Sequence, residues 1–63
     1  MSKFIFGDII IVNQDEIGLV IETWENEPLG RKYVKIWNKD EEDVEVWDED
    51  LVSRYDFIRE RAI

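Results

Sequence analysis

The sequence predicts one small all-β domain, a barrel of about five antiparallel strands. Three observations support this fold class. Short runs of β-branched and aromatic residues recur along the chain, and turn-forming residues separate them at close intervals. The longest uninterrupted apolar run, Ile9–Val12, has only four residues. The 63 residues are expected to form a single domain, residues 1–63, near the lower limit for a chain that folds without cross-links.

The predicted strands follow one another as a meander. Four of them are apolar with β-branched or alternating character: Ile9–Val12, Gly18–Trp24, Tyr33–Trp37 and Val44–Trp47. Polar or turn-forming stretches separate them: Asn13–Glu16, Asn26–Gly30 and Asn38–Asp43. We expect Gly18 to serve a strand-opening bend and Gly30 a loop end, because neither belongs to a phosphate-binding glycine motif.

The chain after the fourth strand is expected to form one short helical turn near residues 48–51. Asp48 can cap it by accepting hydrogen bonds from free backbone N–H groups. Beyond this turn, two interpretations stay open. Val52–Tyr55 can form a fifth strand, whereas Leu51, Tyr55, Ile58 and Ala62 also fall at helical spacing, which indicates a short C-terminal helix. The favoured reading is a strand to about Tyr55 with a loose or helical end.

Strand alternation also predicts the core and the pairing of the third and fourth strands. The expected core residues are Ile10, Val12, Val20, Val34, Ile36, Val46 and Leu51. A five-residue turn, Lys39–Asp43, would pair Ile36 with Val46 and Lys35 with Trp47. That register sends Tyr33, Trp37 and Trp47 outward and places Lys35 for a cation–π contact with Trp47.

The composition argues against several classes of function. The chain has no cysteine and no histidine, so thiolate metal sites, disulfides and Ser-His or Cys-His nucleophile pairs cannot form, and we expect no enzyme activity and no cofactor. The formal net charge of −8 disfavours direct nucleic-acid binding. No signal peptide or membrane span is evident, and the expected location is cytoplasmic.

The acidity is concentrated in one acidic segment, Asp40–Asp50. It contains eight carboxylates and no basic residue: Asp40, Glu41, Glu42, Asp43, Glu45, Asp48, Glu49 and Asp50. A calcium-binding EF-hand loop starting at Asp48 would need glycine and glutamate where Ser53 and Arg59 stand, so no metal site is predicted. The segment is either a solubilising turn or a negative surface that attracts a basic partner.

Several short motifs resemble the SH3-like barrels of the KOW and Tudor kind. They are Gly7-Asp8 before a β-branched strand, Ile17-Gly18-Leu19-Val20-Ile21-Glu22, Val34-Lys35-Ile36-Trp37 and Val46-Trp47-Asp48-Glu49-Asp50-Leu51. The resemblance covers roughly residues 4–55 and extends to small proteins of tailed bacteriophages, which implies a host-cytoplasmic location. Nucleic-acid binding by basic KOW domains does not carry over, because this chain has carboxylates where phosphate contacts need cations.

The function favoured by these observations is a non-catalytic module that binds a basic protein, such as a nucleic-acid-binding protein whose groove the carboxylates mimic. The predicted binding residues are Tyr33, Trp37 and Trp47 together with the eight carboxylates of the acidic segment. Two alternatives stay open. One is a structural or homo-oligomeric assembly protein using Phe4, Phe6 and Ile9–Val12, and the other is a weak nucleic-acid binder using scattered cations.

Overall fold

The chain folds into one antiparallel five-stranded sheet, seen in a computed structural model that describes residues 2–55. The strands are β1 (Ile9–Val12), β2 (Glu16–Asn26), β3 (Arg31–Asn38), β4 (Asp43–Asp48) and β5 (Ser53–Arg54). Their order in the sheet is β4-β3-β2-β1-β5, so the fifth strand returns to pair with the first. The predicted fold class, all-β with about five antiparallel strands, is confirmed.

A 3-10 turn, Glu49–Leu51, links β4 to β5 as the sequence predicted. The Asp48 side chain caps it by accepting a hydrogen bond from the Asp50 N–H at 2.9 Å. No helix within residues 2–55 is long and apolar enough to cross a membrane. The strand interpretation of the next segment is confirmed, since the Tyr55 N–H still donates to a β1 carbonyl at 3.0 Å. The predicted C-terminal helix lies outside the described residues.

The hairpin of β2 and β3 is the longest element of the sheet. Its register contains one β-bulge, between Val20 and Glu22, where Ile21 is the additional residue. The turn that joins the strands ends at Gly30, whose φ of 70° lies in the left-handed region that favours glycine. The Gly30 N–H donates to the Asn26 carbonyl at 2.8 Å, so the predicted loop-end role is confirmed.

The hydrophobic core lies on one face of the sheet. Its buried side chains are Phe4, Ile10, Val12, Val20, Val34, Ile36 and Val52. The five strand residues Ile10, Val12, Val20, Val34 and Ile36 were predicted correctly. The predictions for Val46 and Leu51 were wrong, because these side chains are 56% and 64% exposed. At the C-terminal end of the sheet, Val52 takes the buried position that was expected for Leu51.

The predicted register of β4 was wrong by one residue. The observed pairs are Asn38↔Asp43, Trp37↔Val44, Ile36↔Glu45, Lys35↔Val46, Val34↔Trp47 and Tyr33↔Asp48. The turn has four residues, 39–42, and Glu42 adopts a positive φ of 54°. Because side chains alternate between the faces of a sheet, this single-residue shift reverses every side chain of β4. Val44 and Val46 therefore point away from the core, whereas Glu45 and Trp47 point towards it.

The predicted role of Gly18, a bend that opens the strand, was wrong. This residue lies inside β2, buried opposite Ile10 and Asn38, and not at a bend that opens the strand. A Cβ atom there would stand 2.8 Å from Cδ1 of Ile36 and 3.1 Å from Cδ1 of Ile10. Glycine is needed because the core side chains occupy the space above its Cα.

The N-terminal segment is fastened to β5 by Asp8 and Arg54. Oδ2 of Asp8 accepts the Ile5 N–H at 3.0 Å and lies 3.1 Å from Nη1 of Arg54. The Ile5 donor, together with the Arg54 guanidinium, holds the pKa of Asp8 below its ordinary value. Arg54 also donates to the Lys3 carbonyl at 2.8 Å and lies 5.2 Å above the ring of Phe4. These contacts keep Phe4 over the core.

Candidate functional site

The sheet face opposite the core carries the candidate site, which we name the outer face. It comprises the outward side chains of β2, β3 and β4 in the three rows from Leu19 to Trp24: Leu19, Glu22, Trp24, Tyr33, Lys35, Trp37, Val44, Val46 and Asp48. Trp37 lies at the centre of one cross-strand row, with Leu19 on one side and Val44 on the other. All three side chains are exposed, Trp37 at 40%. The predicted outward position of Trp37 is confirmed.

A second aromatic group lies farther along the same face, towards the tip of the β2–β3 hairpin. Trp24 is the cross-strand partner of Tyr33, and their rings stack with centroids 5.9 Å apart and an interplanar angle of 28°. Trp24 is exposed, and Tyr33 is half-buried. Sequence reasoning did not identify Trp24 as a surface residue. The signal was the turn that ends at Gly30, because a hairpin closed by this turn brings Trp24 opposite Tyr33.

Between these two groups lies one row with a single charged pair. Glu22 stands opposite Lys35 on β3, and Lys35 stands opposite Val46 on β4. Val46 is exposed, so apolar surface continues past the charges along β4. The outer face is thus a largely apolar and aromatic surface that extends across three strands.

Trp47 does not belong to the outer face, contrary to prediction. It stands opposite Val34, packs against the hydrophobic core, and its Nε1 donates to Oε1 of Glu45 at 2.9 Å. The predicted cation–π contact with Lys35 is wrong, because the two side chains lie on opposite faces of the sheet. The three predicted aromatics are therefore divided, with Tyr33 and Trp37 outside and Trp47 against the core.

A buried amide, Asn38, organises the start of the acidic segment. Its Nδ2 donates to Oε1 of Glu16 at 2.9 Å and to Oε1 of Glu45 at 3.0 Å. Its Oδ1 accepts the backbone N–H groups of Asp40 and Glu41, both at 3.0 Å. Every hydrogen-bonding group of this fully buried side chain is thus satisfied. Sequence reasoning placed Asn38 only in a charged turn and missed this role.

Four of the eight carboxylates of the acidic segment accept hydrogen bonds that stabilise the fold. Oδ2 of Asp40 accepts the Ile17 N–H at 2.7 Å. Glu45 bonds Asn38 and Trp47 as above, and Asp48 caps the 3-10 turn. Glu49 is buried, and its Oε2 accepts the Ser2 hydroxyl and the Lys3 N–H. These four carboxylates therefore bond groups within the fold.

The other four carboxylates are exposed: Glu41, Glu42, Asp43 and Asp50. The first three lie in or next to the β3–β4 turn, beside the Val44 end of the outer face. Asp50 lies in the 3-10 turn at the other end of β4. The structure therefore has Tyr33 and Trp37 on the outer face and exposed carboxylates at both ends of β4, with the Asp43 side chain opposite Asn38 on the core side of its strand.

The acidic groups do not converge as metal ligands. Between Ser2 and Tyr55, no three histidine, cysteine, aspartate or glutamate side chains come together in a geometry that could hold a metal ion. The carboxylates are instead spread along the β3–β4 turn, the strand and the 3-10 turn. What this arrangement offers chemically is a set of exposed negative groups at the two ends of β4, next to an apolar surface.

The chain was compared with protein-family models, with curated proteins and with solved structures, and none of them matches it. The resemblance to SH3-like and bacteriophage proteins therefore stays a prediction.

Proposed function

We propose that this protein is a non-catalytic interaction module that binds a basic partner protein through the outer face. The observation that carries the proposal is the row formed by Leu19, Trp37 and Val44, which leaves a tryptophan exposed among aliphatic neighbours on the sheet surface. Large apolar side chains that lie together on a surface are typical of binding sites, whereas isolated ones are ordinary.

Aromatic side chains supply most of the affinity in this proposal. Trp37 and the stacked pair of Trp24 and Tyr33 bring three rings to one face. Tryptophan and tyrosine dominate interface hot spots because they bury a large area at a small cost in conformational entropy. These rings would be the anchors that determine how slowly a complex dissociates.

In this proposal the four exposed carboxylates select the partner by its charge. Glu41, Glu42 and Asp43 lie next to the Val44 end of the outer face, and Asp50 follows β4. Such a field accelerates encounters with a positively charged protein and disfavours acidic ones. A nucleic-acid-binding protein is the class of partner that carries a basic surface of this kind by necessity.

The test is capture of partners from a bacterial lysate, with and without nuclease treatment, because bacteria are the hosts that the phage resemblance implies. The immobilised proteins would be the wild type, Trp37→Ser and the double variant Glu41→Gln/Glu42→Gln. Matched controls are Phe6→Ser, an exposed aromatic outside the outer face, and Asp15→Asn/Glu27→Gln, two exposed carboxylates outside the acidic segment. Captured proteins would then be measured individually by surface plasmon resonance.

The expected result is a protein that binds the wild type and both controls alike. Trp37→Ser should dissociate at least about tenfold faster, because a central aromatic anchor is lost. The double charge variant should associate more slowly and show a weaker dependence on salt. Equal binding by the wild type and Trp37→Ser would overturn the proposal, and so would capture that depends on intact nucleic acid.

A further inference from the structure

β4 forms an open edge of the sheet within residues 2–55, because it pairs only with β3. The Val44 N–H donates to the Asp43 carboxylate at 2.8 Å. Its partner on β3 is Trp37, whose backbone groups face β2, in phase with the Lys39 N–H that donates to the Ile17 carbonyl. Backbone groups of an antiparallel strand point alternately towards and away from the partner strand. Val46 and Asp48, two and four residues on, therefore also direct their backbone groups towards the open edge.

This edge has few of the usual devices that prevent another strand from pairing. Natural edges are protected by lysine, proline, bulges, short length or inward-pointing charges, and of these β4 has an inward-pointing charge at Glu45. β4 has six residues, contains neither lysine nor proline, and pairs with β3 without a break in register. The charged side chain in its middle, Glu45, points towards the core and is bonded to Asn38 and Trp47. Val44 and Val46 lie beside the edge on the outer face and are exposed.

The charges near the edge select what can pair there. Carboxylates lie before β4 in the turn, at both of its ends, and after it at Asp50. A second copy of the chain pairing through the same edge would bring these carboxylates against one another, which is unfavourable for like charges on adjacent strands. A segment that alternates lysine or arginine with aliphatic residues complements the edge in charge and extends the apolar outer face.

We propose that β4 accepts a basic, extended segment of the partner as a sixth strand. The backbone groups of Val46 and Asp48 would bond the added strand, and its aliphatic side chains would continue the surface of Val44 and Val46. Addition of a strand at an open edge is a common mode of peptide recognition, in which main-chain bonds supply affinity and side chains supply specificity. This inference rests on the proposed function, because it names how the partner of the outer face is held.

The probe is a synthetic seven-residue peptide of alternating lysine and valine, Lys-Val-Lys-Val-Lys-Val-Lys, with blocked ends. Two matched peptides accompany it, one with every lysine replaced by glutamate and one N-methylated on alternate residues so that one edge cannot donate. Affinity would be measured by titration, and hydrogen exchange of the Val46 and Asp48 amides would be followed by NMR. We expect the first peptide to bind and to slow exchange at both amides at least about tenfold. Both matched peptides should bind at least about tenfold more weakly.

A variant of the protein tests the same contact from the other side. Val46→Pro removes the edge donor without removing a bond to β3, and proline is tolerated at such edge positions. Val46→Thr is the control that keeps the N–H. Binding of the lysine–valine peptide should weaken about tenfold in the proline variant relative to the threonine variant, with a cooperative thermal transition retained in both.

Several outcomes would overturn the inference. They are failure of the lysine–valine peptide to bind, equal binding of the N-methylated peptide, or binding that leaves the Val46 and Asp48 amides exchanging at the free rate. In each of these cases the proposed function would be judged separately, by the effect of Trp37→Ser on captured proteins. A positive capture result with a negative peptide result would mean that the partner uses the outer face without adding a strand.

Discussion

Asn38 joins strands β2, β3 and β4 through four side-chain hydrogen bonds. Its amide joins Glu16 on β2 to Glu45 on β4, and its carbonyl oxygen holds the first two N–H groups of the β3–β4 turn. A buried amide with all of its hydrogen bonds made restricts the chain to one arrangement, because any other leaves charged or polar groups without partners. The position of the turn carboxylates thus follows from one residue.

We predict that Asn38→Ala lowers the free energy of unfolding by about 1–3 kcal/mol, the usual cost of leaving buried polar groups unpaired. The measurement is urea denaturation followed by tryptophan fluorescence. Asn26→Ala, at an exposed position on the same sheet, is the control and should stay within about 0.5 kcal/mol of the wild type. A loss for Asn38→Ala no larger than that of the control would contradict the structural role.

Gly18 gives a second prediction at the residue scale. Gly18→Ala places a methyl group 2.8 Å from Cδ1 of Ile36, so we expect a loss of about 1–3 kcal/mol from overpacking. Ile36→Val removes that Cδ1 atom, and the double variant should therefore lose less stability than the sum of the two single variants. Additive losses, measured by thermal or urea unfolding, would show that the contact with Ile36 is not the cause.

Among the strands, β4 decides how the candidate site is composed. Its register turns Val44 and Val46 to the outer face and brings Trp47 to the core. The pairing of Ile36 with Glu45 has a direct reason, since Glu45 reaches both Asn38 and the indole N–H of Trp47 only from the core side. An edge strand with its carboxylate inside and its valines outside is what produces both the apolar surface and the open edge.

The register of β4 can be tested by comparing two truncations. Ile36→Ala should cost about 2–5 kcal/mol, because the side chain is fully buried in the core. Val46→Ala should change the free energy of unfolding by no more than about 0.5 kcal/mol, because that side chain is exposed. Chemical denaturation of both variants gives the comparison. A loss for Val46→Ala approaching that of Ile36→Ala would restore the register in which both are core residues.

For the whole molecule, the distribution of charge is as important as its sum. The formal net charge is −8, and four of the acidic-segment carboxylates are exposed without holding structure beyond their own turn. Repulsion among like charges opposes the compact state and is screened by salt. The negative surface therefore lowers the free energy of unfolding at low ionic strength, where the repulsion is least screened.

Screening should consequently stabilise the protein. We predict that the melting temperature rises as sodium chloride is increased from 10 to 150 mM, conditions over which the Debye length falls from about 30 Å to about 8 Å. Glu41→Gln/Glu42→Gln should melt at a slightly higher temperature than the wild type at low salt and show a smaller rise. The control Asp15→Asn/Glu27→Gln measures the effect of removing two charges elsewhere. A larger salt response in the Glu41/Glu42 variant than in this control would contradict the assignment of repulsion to the acidic segment.

Asp8 and Arg54 give a pH dependence for the closure of the N-terminal segment onto β5. The pKa of Asp8 is lowered in the folded protein, so its contribution to stability is fully present above the ordinary aspartate value of 3.8 and is lost as the pH falls through the lower folded value. The melting temperature of Asp8→Asn should be below that of the wild type at neutral pH, and the difference should shrink below pH 3.8. Scanning calorimetry from pH 7 to pH 2.5 measures it. A difference that is constant across this range would mean that the charge of Asp8 contributes nothing.

The sequence by itself determined the class of the fold and most of the core. Val34 and Ile36 were identified because they alternate with Tyr33, Lys35 and Trp37 on β3. Ile10, Val12 and Val20 lie in apolar, β-branched runs, and their core phase followed from the barrel pattern. Asp48 was identified as a cap because short acidic side chains satisfy free N–H groups locally. These features depend on residues that are close in the sequence, so they can be predicted without knowledge of the tertiary structure.

Only the tertiary structure decided the register of β4 and hence the composition of the candidate site. In Val44-Glu45-Val46-Trp47 both phases of the strand contain large apolar side chains, so alternation cannot tell which phase faces the core. A four-residue and a five-residue turn are equally compatible with the polar stretch before it. The choice follows from contacts distant in sequence: Asn38 with Glu16 and Glu45, and Trp47 against the core. Those contacts exist only once three strands have assembled, which is why the valines were assigned to the core and the open edge was not foreseen.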